Sequence, residues 1–163
     1  MKFLILLIVS ILSYASEIDK NTTNYAKSVE LYTKACDQNY GRGCTSLASM
    51  YFNGRGVDKN ETKAAEYYSL GCNNGDSKGC IYLGNAYFHA NGVKKNYIKS
   101  SEFYKKSCDM EDMEGCTNLG SLYYFGQGVK KDFKKAAELY TKACDNGDAR
   151  ACTNLGNIYQ SEK

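Results

Sequence analysis

Apolar and polar side chains alternate along this chain with the spacing of amphipathic helices. In residues 64–72 the apolar positions recur three, four and eight residues apart, on one face of a helix. The turn-forming run Asn73-Asn74-Gly75-Asp76 interrupts this face, and a second helical apolar run extends over residues 80–88. The pattern therefore predicts two helices joined by a short turn, with Asp76 at the N-cap of the second helix.

This helix–turn–helix pattern recurs at a fixed step of 36 residues, without insertion or deletion. A period of this length is typical of a solenoid, in which each unit buries its apolar face on its neighbours. We therefore predict an all-α fold, an α/α superhelical solenoid of four helix-hairpin repeats. The predicted repeats cover about residues 25–60, 61–96, 97–132 and 133–163.

Two further rows of the repeat predict how the helices begin and pack. Polar residues that suit an N-cap precede the first helix of three units, at Asn60, Asn96 and Asp132. Small residues occupy the same position in the second helix of each repeat, although glycine destabilises a helix interior by up to about 1 kcal/mol relative to alanine. Their recurrence predicts a close approach of neighbouring helices at Ala48, Gly84, Gly120 and Gly156.

The eight cysteines form four pairs, each with a separation of eight residues. On one continuous helix this separation corresponds to about 12 Å of rise, whereas a disulfide requires Cα atoms about 4.4–6.8 Å apart. A turn between the two cysteines allows them to meet. The alternatives are free thiols in the core and a zinc site, but structural zinc sites favour closer pairs and the chain has one histidine. We predict disulfides Cys36–Cys44, Cys72–Cys80, Cys108–Cys116 and Cys144–Cys152.

The first residues have the features of a secretory signal peptide. Lys2 is followed by a short apolar stretch, Phe3–Leu12, and by the small-x-small cleavage sequence Ser13-Tyr14-Ala15. An uncleaved anchor is the alternative, but ten apolar residues are too few to cross about 30 Å of hydrocarbon. We predict a signal peptide at 1–15, a leader at 16–24, a secreted or periplasmic protein, and no membrane span after cleavage. That compartment also favours disulfides over free thiols.

Charge excludes one class of partner. The formal net charge of +3 is small, and the basic residues are spread over all repeats. Nucleic-acid binding would require a clustered basic face, so no nucleic-acid partner is expected.

The repeated residues A-A-E-x-Y-x-x-x-C, G-C-x-x-L-G-x-x-Y and G-x-G-V resemble the Sel-like repeat, a relative of the tetratricopeptide repeat. Cysteines eight apart behind a signal peptide resemble the Hcp-type cysteine-rich secreted proteins of bacteria. The resemblance covers about residues 25–159. It implies a right-handed superhelix with a concave face, and a β-lactamase or penicillin-binding activity, with a β-lactam or peptidoglycan-related ligand. Wider Sel-like repeat proteins act as interaction scaffolds.

No recognisable catalytic motif accompanies this resemblance. The chain contains no Ser-x-x-Lys sequence of the serine β-lactamases, and its single histidine, His89, falls where a second helix should end. The catalytic residues are therefore unknown from sequence, and we expect no cofactor and no metal. Whether the protein is an enzyme at all is left open.

A row of asparagines supports the alternative, a non-enzymatic scaffold that binds a peptide or protein on its concave face. Asparagine is a mediocre helix former, and its side-chain amide both donates and accepts hydrogen bonds, which suits an extended peptide backbone. Plain surface polarity is the competing explanation. The candidate groove residues are Asn85, Asn118, Asn154 and Asn157.

Two sequons are possible glycosylation sites. Asn21 and Asn60 both fit Asn-x-Ser/Thr, and each has an acidic residue two positions earlier, the form that bacterial oligosaccharyltransferases prefer.

Overall fold

The computed structural model describes residues 24–161, and within them it consists of eight α-helices without strands. The first helix, α1, covers the described residues 24–37. The others are α2 (Gly41–Asn53), α3 (Glu61–Asn73), α4 (Ser77–His89), α5 (Tyr97–Asp109), α6 (Met113–Phe125), α7 (Phe133–Asp145) and α8 (Ala149–Ser161). The predicted signal peptide, the leader up to residue 23 and the sequon at Asn21 lie outside the described residues.

The helices form four hairpins in chain order, which we call units 1 to 4, and each unit packs on the next. The all-α solenoid predicted from the period is confirmed. Each hairpin turns at one residue with a left-handed backbone. Glycine takes this conformation at Gly75 (φ 85°) and Gly147 (φ 92°), as its missing Cβ allows. Asn39 and Glu111 adopt it at the equivalent positions of units 1 and 3, with φ of 60° and 62°.

A disulfide joins the two helices of every unit, with the pairing predicted from the spacing. The Cα atoms lie 4.5 Å apart in the first three pairs and 4.7 Å apart in Cys144–Cys152. All eight cysteines are paired, and none of them is free. The turn therefore brings each pair together as the argument from helix rise requires.

The N-caps of the first helices are also confirmed. The side chains of Asn60 and Asn96 accept hydrogen bonds from the backbone N–H of Lys63 and Lys99 at 2.9 and 3.0 Å. Asp132 does the same for Lys135 at 2.9 Å. Each cap satisfies one of the N–H groups that a helix leaves unpaired at its start.

The prediction for Asp76 is right in position but wrong in contact. Asp76 occupies the N-cap of α4, yet its carboxylate accepts no capping hydrogen bond. Its equivalents do accept one. Asp112 receives the N–H of Glu114 at 3.2 Å, and Asp148 receives that of Arg150 at 2.9 Å.

The difference follows from donors in the preceding unit, where Ser77 donates to the carboxylate of Asp112 at 2.8 Å. In units 3 and 4, the hydroxyl of Thr117 donates to the carboxylate of Asp148 at 2.7 Å and orients it. Thr45 holds the position of Thr117 in unit 1, but its Oγ1 is packed against Gly71, 2.2 Å from where a Cβ would lie. Within the described residues, the buried Oδ2 of Asp76 therefore has no hydrogen-bond partner.

Two contacts recur at the seams between units. The first confirms the predicted close approach at two positions, because a Cβ at Gly84 or Gly120 would lie 2.6 or 2.8 Å from the ring of the next unit's tyrosine, Tyr104 or Tyr140. Each tyrosine is thus seated in a recess that the missing side chain leaves open. The recess contact joins residues twenty positions apart, so it lies between units rather than within one. At Gly156 the prediction is wrong, because no described atom lies within 4 Å of its Cβ position.

The second seam contact is aromatic. Tyr51 stacks on Tyr67 with ring centroids 5.5 Å apart, and Tyr87 stacks on Phe103 at 5.7 Å. A lysine ammonium lies over the first ring of each stack, Lys63 over Tyr51 and Lys99 over Tyr87, at 5.2 and 5.1 Å from the centroid.

Candidate binding groove

Three adjoining cavities form one groove along the second helices of the units. The first cavity, about 440 Å³, lies between α2, α3 and α4; the second, about 230 Å³, lies between α4, α5 and α6; and the third, about 280 Å³, lies between α6, α7 and α8. Asn85 and His89 line both the first and the second cavity, and Ser121 and Phe125 line both the second and the third. Neighbouring cavities therefore adjoin each other at these shared residues.

A polar pair recurs on the floor of each cavity. The hydroxyl of Tyr104 donates to Asn85 Oδ1 at 2.6 Å, and the hydroxyl of Tyr140 donates to Ser121 Oγ at 3.0 Å. In the first cavity, Tyr68 and Ser49 place their hydroxyls 3.3 Å apart. Each pair joins residues nineteen positions apart in consecutive units, so the stacking of units builds the groove floor.

The hydroxyls of these tyrosines are uncharged. Burial in the seam raises the pKa of Tyr68, Tyr104 and Tyr140, because a phenolate would lose its hydration there. The hydroxyls of Ser49 and Ser121 oppose this shift at Tyr68 and Tyr140, but the pKa remains above its usual value. A phenolate that could act as a base is therefore disfavoured at neutral pH.

The structure places all four predicted asparagines along this groove. Asn85 lines the first two cavities, Asn118 the second, and Asn154 with Asn157 the third. Their roles differ, because Asn85 is already engaged by Tyr104 and so contributes to packing between units.

Sequence reasoning did not single out the aromatic residues of the groove. Phe125 lines two of the cavities with 65% of its surface exposed, and Tyr82 on the wall of the first is 38% exposed. Phe125 occupies a repeat position held by Asn53 and His89 in units 1 and 2. Such a change of chemical type at one repeat position is a signal that the position does not pack between units.

The lining of the three cavities is almost free of charge. Glu61 is the one Asp, Glu, Lys or Arg among their lining residues, and amide, hydroxyl and aromatic groups make up most of the rest. His89 ends α4 as predicted, and its ring contacts that of Phe88 with centroids 4.9 Å apart. In residues 24–161 no cluster of three or more His, Cys, Asp or Glu could hold a metal ion.

The second sequon lies at a helix start. Asn60 is exposed, and its side-chain oxygen caps α3. No helix in the described part of the chain is both long and apolar enough to cross a membrane.

The fold and the repeated seams define an α-solenoid of disulfide-linked hairpins. A family model for the Sel1 repeat matches residues 16–40, 41–76, 77–112 and 114–148, so the chain belongs to the Sel1 repeat family. The resemblance drawn from the repeat motif is confirmed. The last three matched segments begin within one residue of the start of a second helix, α2, α4 or α6.

Particular relatives extend the comparison. Cysteine-rich protein B (HcpB) of Helicobacter pylori shares 36% identity with a TM-score of 0.67, over 82% of this chain and 96% of that one. The protective antigen c5321 of uropathogenic Escherichia coli, which has an SLR fold, shares 32% identity with a TM-score of 0.80, over 85% of this chain and 30% of that one. A Sel1 repeat protein of Oxalobacter formigenes shares 29% identity with a TM-score of 0.77, over 83% of this chain and 55% of that one.

One curated relative has an enzymatic name. "Putative beta-lactamase HcpD" of Helicobacter pylori is 51% identical over 39 residues, which are 24% of this chain. The match spans 13% of that protein, little more than the length of one repeat.

Proposed function

We propose that this protein is a binding scaffold that holds an extended peptide segment in the groove. The observation that supports this most strongly is the row of three adjoining cavities with an almost uncharged lining of amides, hydroxyls and aromatic rings. A peptide backbone offers donors and acceptors in alternation, and side-chain amides can satisfy both. The exposed ring of Phe125 adds an apolar contact for a side chain of the peptide.

The proposal is tested with Asn118 and Asn154, which line the second and the third cavity. Peptides selected from a random library on the oxidised protein are measured by fluorescence anisotropy against an Asn118→Ala/Asn154→Ala variant. Each lost hydrogen bond costs about 0.5–1.5 kcal/mol, so binding should weaken about tenfold. The matched control is Lys105→Ala/Lys135→Ala, which removes two exposed lysines outside the groove. Equal loss in both variants, or no loss in the asparagine variant, would contradict the proposal.

A second candidate is a β-lactamase or penicillin-binding activity, supported by the name of the HcpD relative. Ser49 and Ser121 are the serines in the groove that could be acylated. Each contacts a tyrosine whose pKa is raised by burial, which disfavours the phenolate that would serve as a base. Turnover of a chromogenic cephalosporin by the oxidised protein, lost in Ser121→Ala or Ser49→Ala, would favour this candidate. Absence of both turnover and an acylated mass would exclude it.

We also infer that the protein acts outside the cytoplasm, in the periplasm or the medium. Four disulfides support this, because thiols are kept reduced in the cytosol. The intact mass of the protein recovered from the host tests it. Loss of residues 1–15 together with four oxidised pairs is expected, and added mass at Asn21 or Asn60 would show glycosylation.

A further inference from the structure

The last helix has an empty recess of the kind that every internal seam fills. At Gly84 and Gly120 the next unit's tyrosine ring comes within 2.6 and 2.8 Å of the position of a Cβ. Gly156 is the equivalent residue of α8, and no described atom lies within 4 Å of its Cβ position. The recess is therefore formed but open.

The first helix carries the tyrosine that fits such a recess. Tyr32 of α1 occupies the repeat position of the seam tyrosines, and 36% of its surface is exposed. The seam tyrosines Tyr68, Tyr104 and Tyr140 are exposed by 6%, 4% and 2%. Among the described residues, Tyr32 is thus the member of this row that has no preceding unit to pack against.

The two residues that would form the aromatic seam contact are also found at the two ends, one on α8 and one on α1. Tyr159 of α8 is equivalent to the stacked rings Tyr51 and Tyr87, and it is 61% exposed. Its counterpart on α1 is Leu31, equivalent to Tyr67 and Phe103, and it is 54% exposed. Two large apolar side chains are therefore left in water at opposite ends of the solenoid.

Polar groups at the two ends are complementary in the same register. Lys27 has the repeat position of the lysines that lie over the stacked rings, and it would lie over Tyr159. Asn157 has the position of Asn85, the acceptor of a tyrosine hydroxyl.

One charged pair also matches. Lys106 donates to Asn73 Oδ1 at 3.2 Å across a seam, and the equivalent residues at the two ends are Lys34 and Asp145, which carry opposite charges. At another repeat position the two ends carry like charges, Arg150 on α8 and Arg42 on α2. The chain already accommodates such a pair between units 1 and 2, where Arg42 and Lys78 line one cavity.

We infer that a second copy of this chain docks head to tail, with its α1 stacked on α8 as α3, α5 and α7 are stacked on α2, α4 and α6. The ring of Tyr32 enters the recess at Gly156, its hydroxyl donates to Asn157, and Leu31 covers Tyr159. The junction continues the seams already present within the chain. Because the two surfaces differ, the contact is heterologous and each copy keeps one free end, so association proceeds to longer chains as concentration rises. This inference does not depend on a ligand in the groove.

The test compares substitutions at Gly156 in the oxidised full-length protein by sedimentation velocity over a range of concentrations. Gly156→Leu should weaken association at least about tenfold, because the added side chain fills the recess. It should leave the monomer folded, since the position is open there and leucine favours helix. Gly156→Ala is the matched control and should still associate, because Ala48 holds this position in unit 1 beside Tyr68.

Mixing two defective variants identifies the mode of association. Tyr32→Ala lacks the tyrosine but keeps the recess, and Gly156→Leu lacks the recess but keeps the tyrosine. Each alone should be monomeric, and the mixture should form one-to-one dimers that grow no further. Monomeric wild-type protein at about 1 mM would overturn the inference. Failure of the mixture to associate would also overturn the inference. Wild-type dimers that never extend would overturn it in favour of a symmetric contact.

Discussion

At the residue scale, the seam tyrosines connect stability with the groove. Each ring fills the recess over a small residue of the preceding unit, and each hydroxyl meets a polar group on the groove floor. Tyr104 shows both contacts, with Gly84 under its ring and Asn85 at its hydroxyl. One side chain therefore sets the distance between two units and part of the surface that a ligand would meet.

The raised pKa of these tyrosines predicts a loss of stability at alkaline pH. The folded state holds the phenolic protons of Tyr68, Tyr104 and Tyr140 more tightly than the unfolded state. Between the unfolded pKa of about 10 and the higher folded pKa, the native state binds more protons, so the free energy of unfolding falls as pH rises. Below the unfolded pKa this stabilisation is fully present. Urea unfolding from pH 8 to 11 under non-reducing conditions measures the slope.

The matched variant for this measurement replaces the three tyrosines by phenylalanine. It should be less stable at neutral pH by about 1 kcal/mol for each lost hydrogen bond, but its stability should fall less steeply above pH 10. An alkaline decline as steep as that of the wild type would assign the effect to other groups.

At the element scale, the turn after the second helix of a unit positions its hairpin. In the segment Gly126-Gln127-Gly128-Val129, the first glycine ends α6 with φ 71° and the second has φ 68°. A Cβ at Gly128 would lie 2.2 Å from the backbone carbonyl of Tyr97, at the start of α5. The turn thus closes the unit by direct backbone contact, which any side chain would prevent.

Gly128→Ala should therefore destabilise more than an alanine at a turn glycine with free space. Gly75 is the matched control, because it has φ 85° but no atom within 4 Å of its Cβ position. Left-handed backbone costs an alanine about 1–2 kcal/mol, and overpacking costs about 1–3 kcal/mol more. Chemical denaturation should give a loss of about 3 kcal/mol for Gly128→Ala and about 1 kcal/mol for Gly75→Ala. Equal losses would show that the contact with Tyr97 relaxes freely.

At the scale of the whole molecule, burial of the disulfides changes along the solenoid. The second cysteine of each of the first three pairs is fully buried, with Cys44, Cys80 and Cys116 at 0% exposure. Cys152 is exposed, because no further unit in the described residues covers α8. A solenoid protects each unit through its neighbours, so its ends differ from its middle.

Limited reduction should therefore open Cys144–Cys152 first. Thiol–disulfide exchange requires access of the attacking thiolate to a sulfur atom, and this pair alone among the four includes an exposed cysteine. Differential alkylation followed by peptide mapping measures the order. If all four pairs were reduced together, opening of the whole solenoid rather than local access would limit the reaction.

The fold was predictable because its information is local and repeated. The two helices of a unit, the turn at Gly75, the cap at Asn96 and the partner of Cys72 follow from spacings within 36 residues. The absence of a capping contact at Asp76 was not predictable, because the capping carboxylates of later units are held by side chains of the preceding unit.

What the sequence alone determined is thus the hairpin, its disulfide and the register of its repetition, since each depends on residues close along the chain. Only the tertiary structure decided which polar rows serve packing and which line a groove. Asn85 and Asn118 are both asparagines of second helices, at two different repeat positions, and Asn85 is engaged by a tyrosine nineteen residues away. The structure also decided that Gly84 is filled while Gly156 is open, because contact and exposure depend on which unit stands next to each helix.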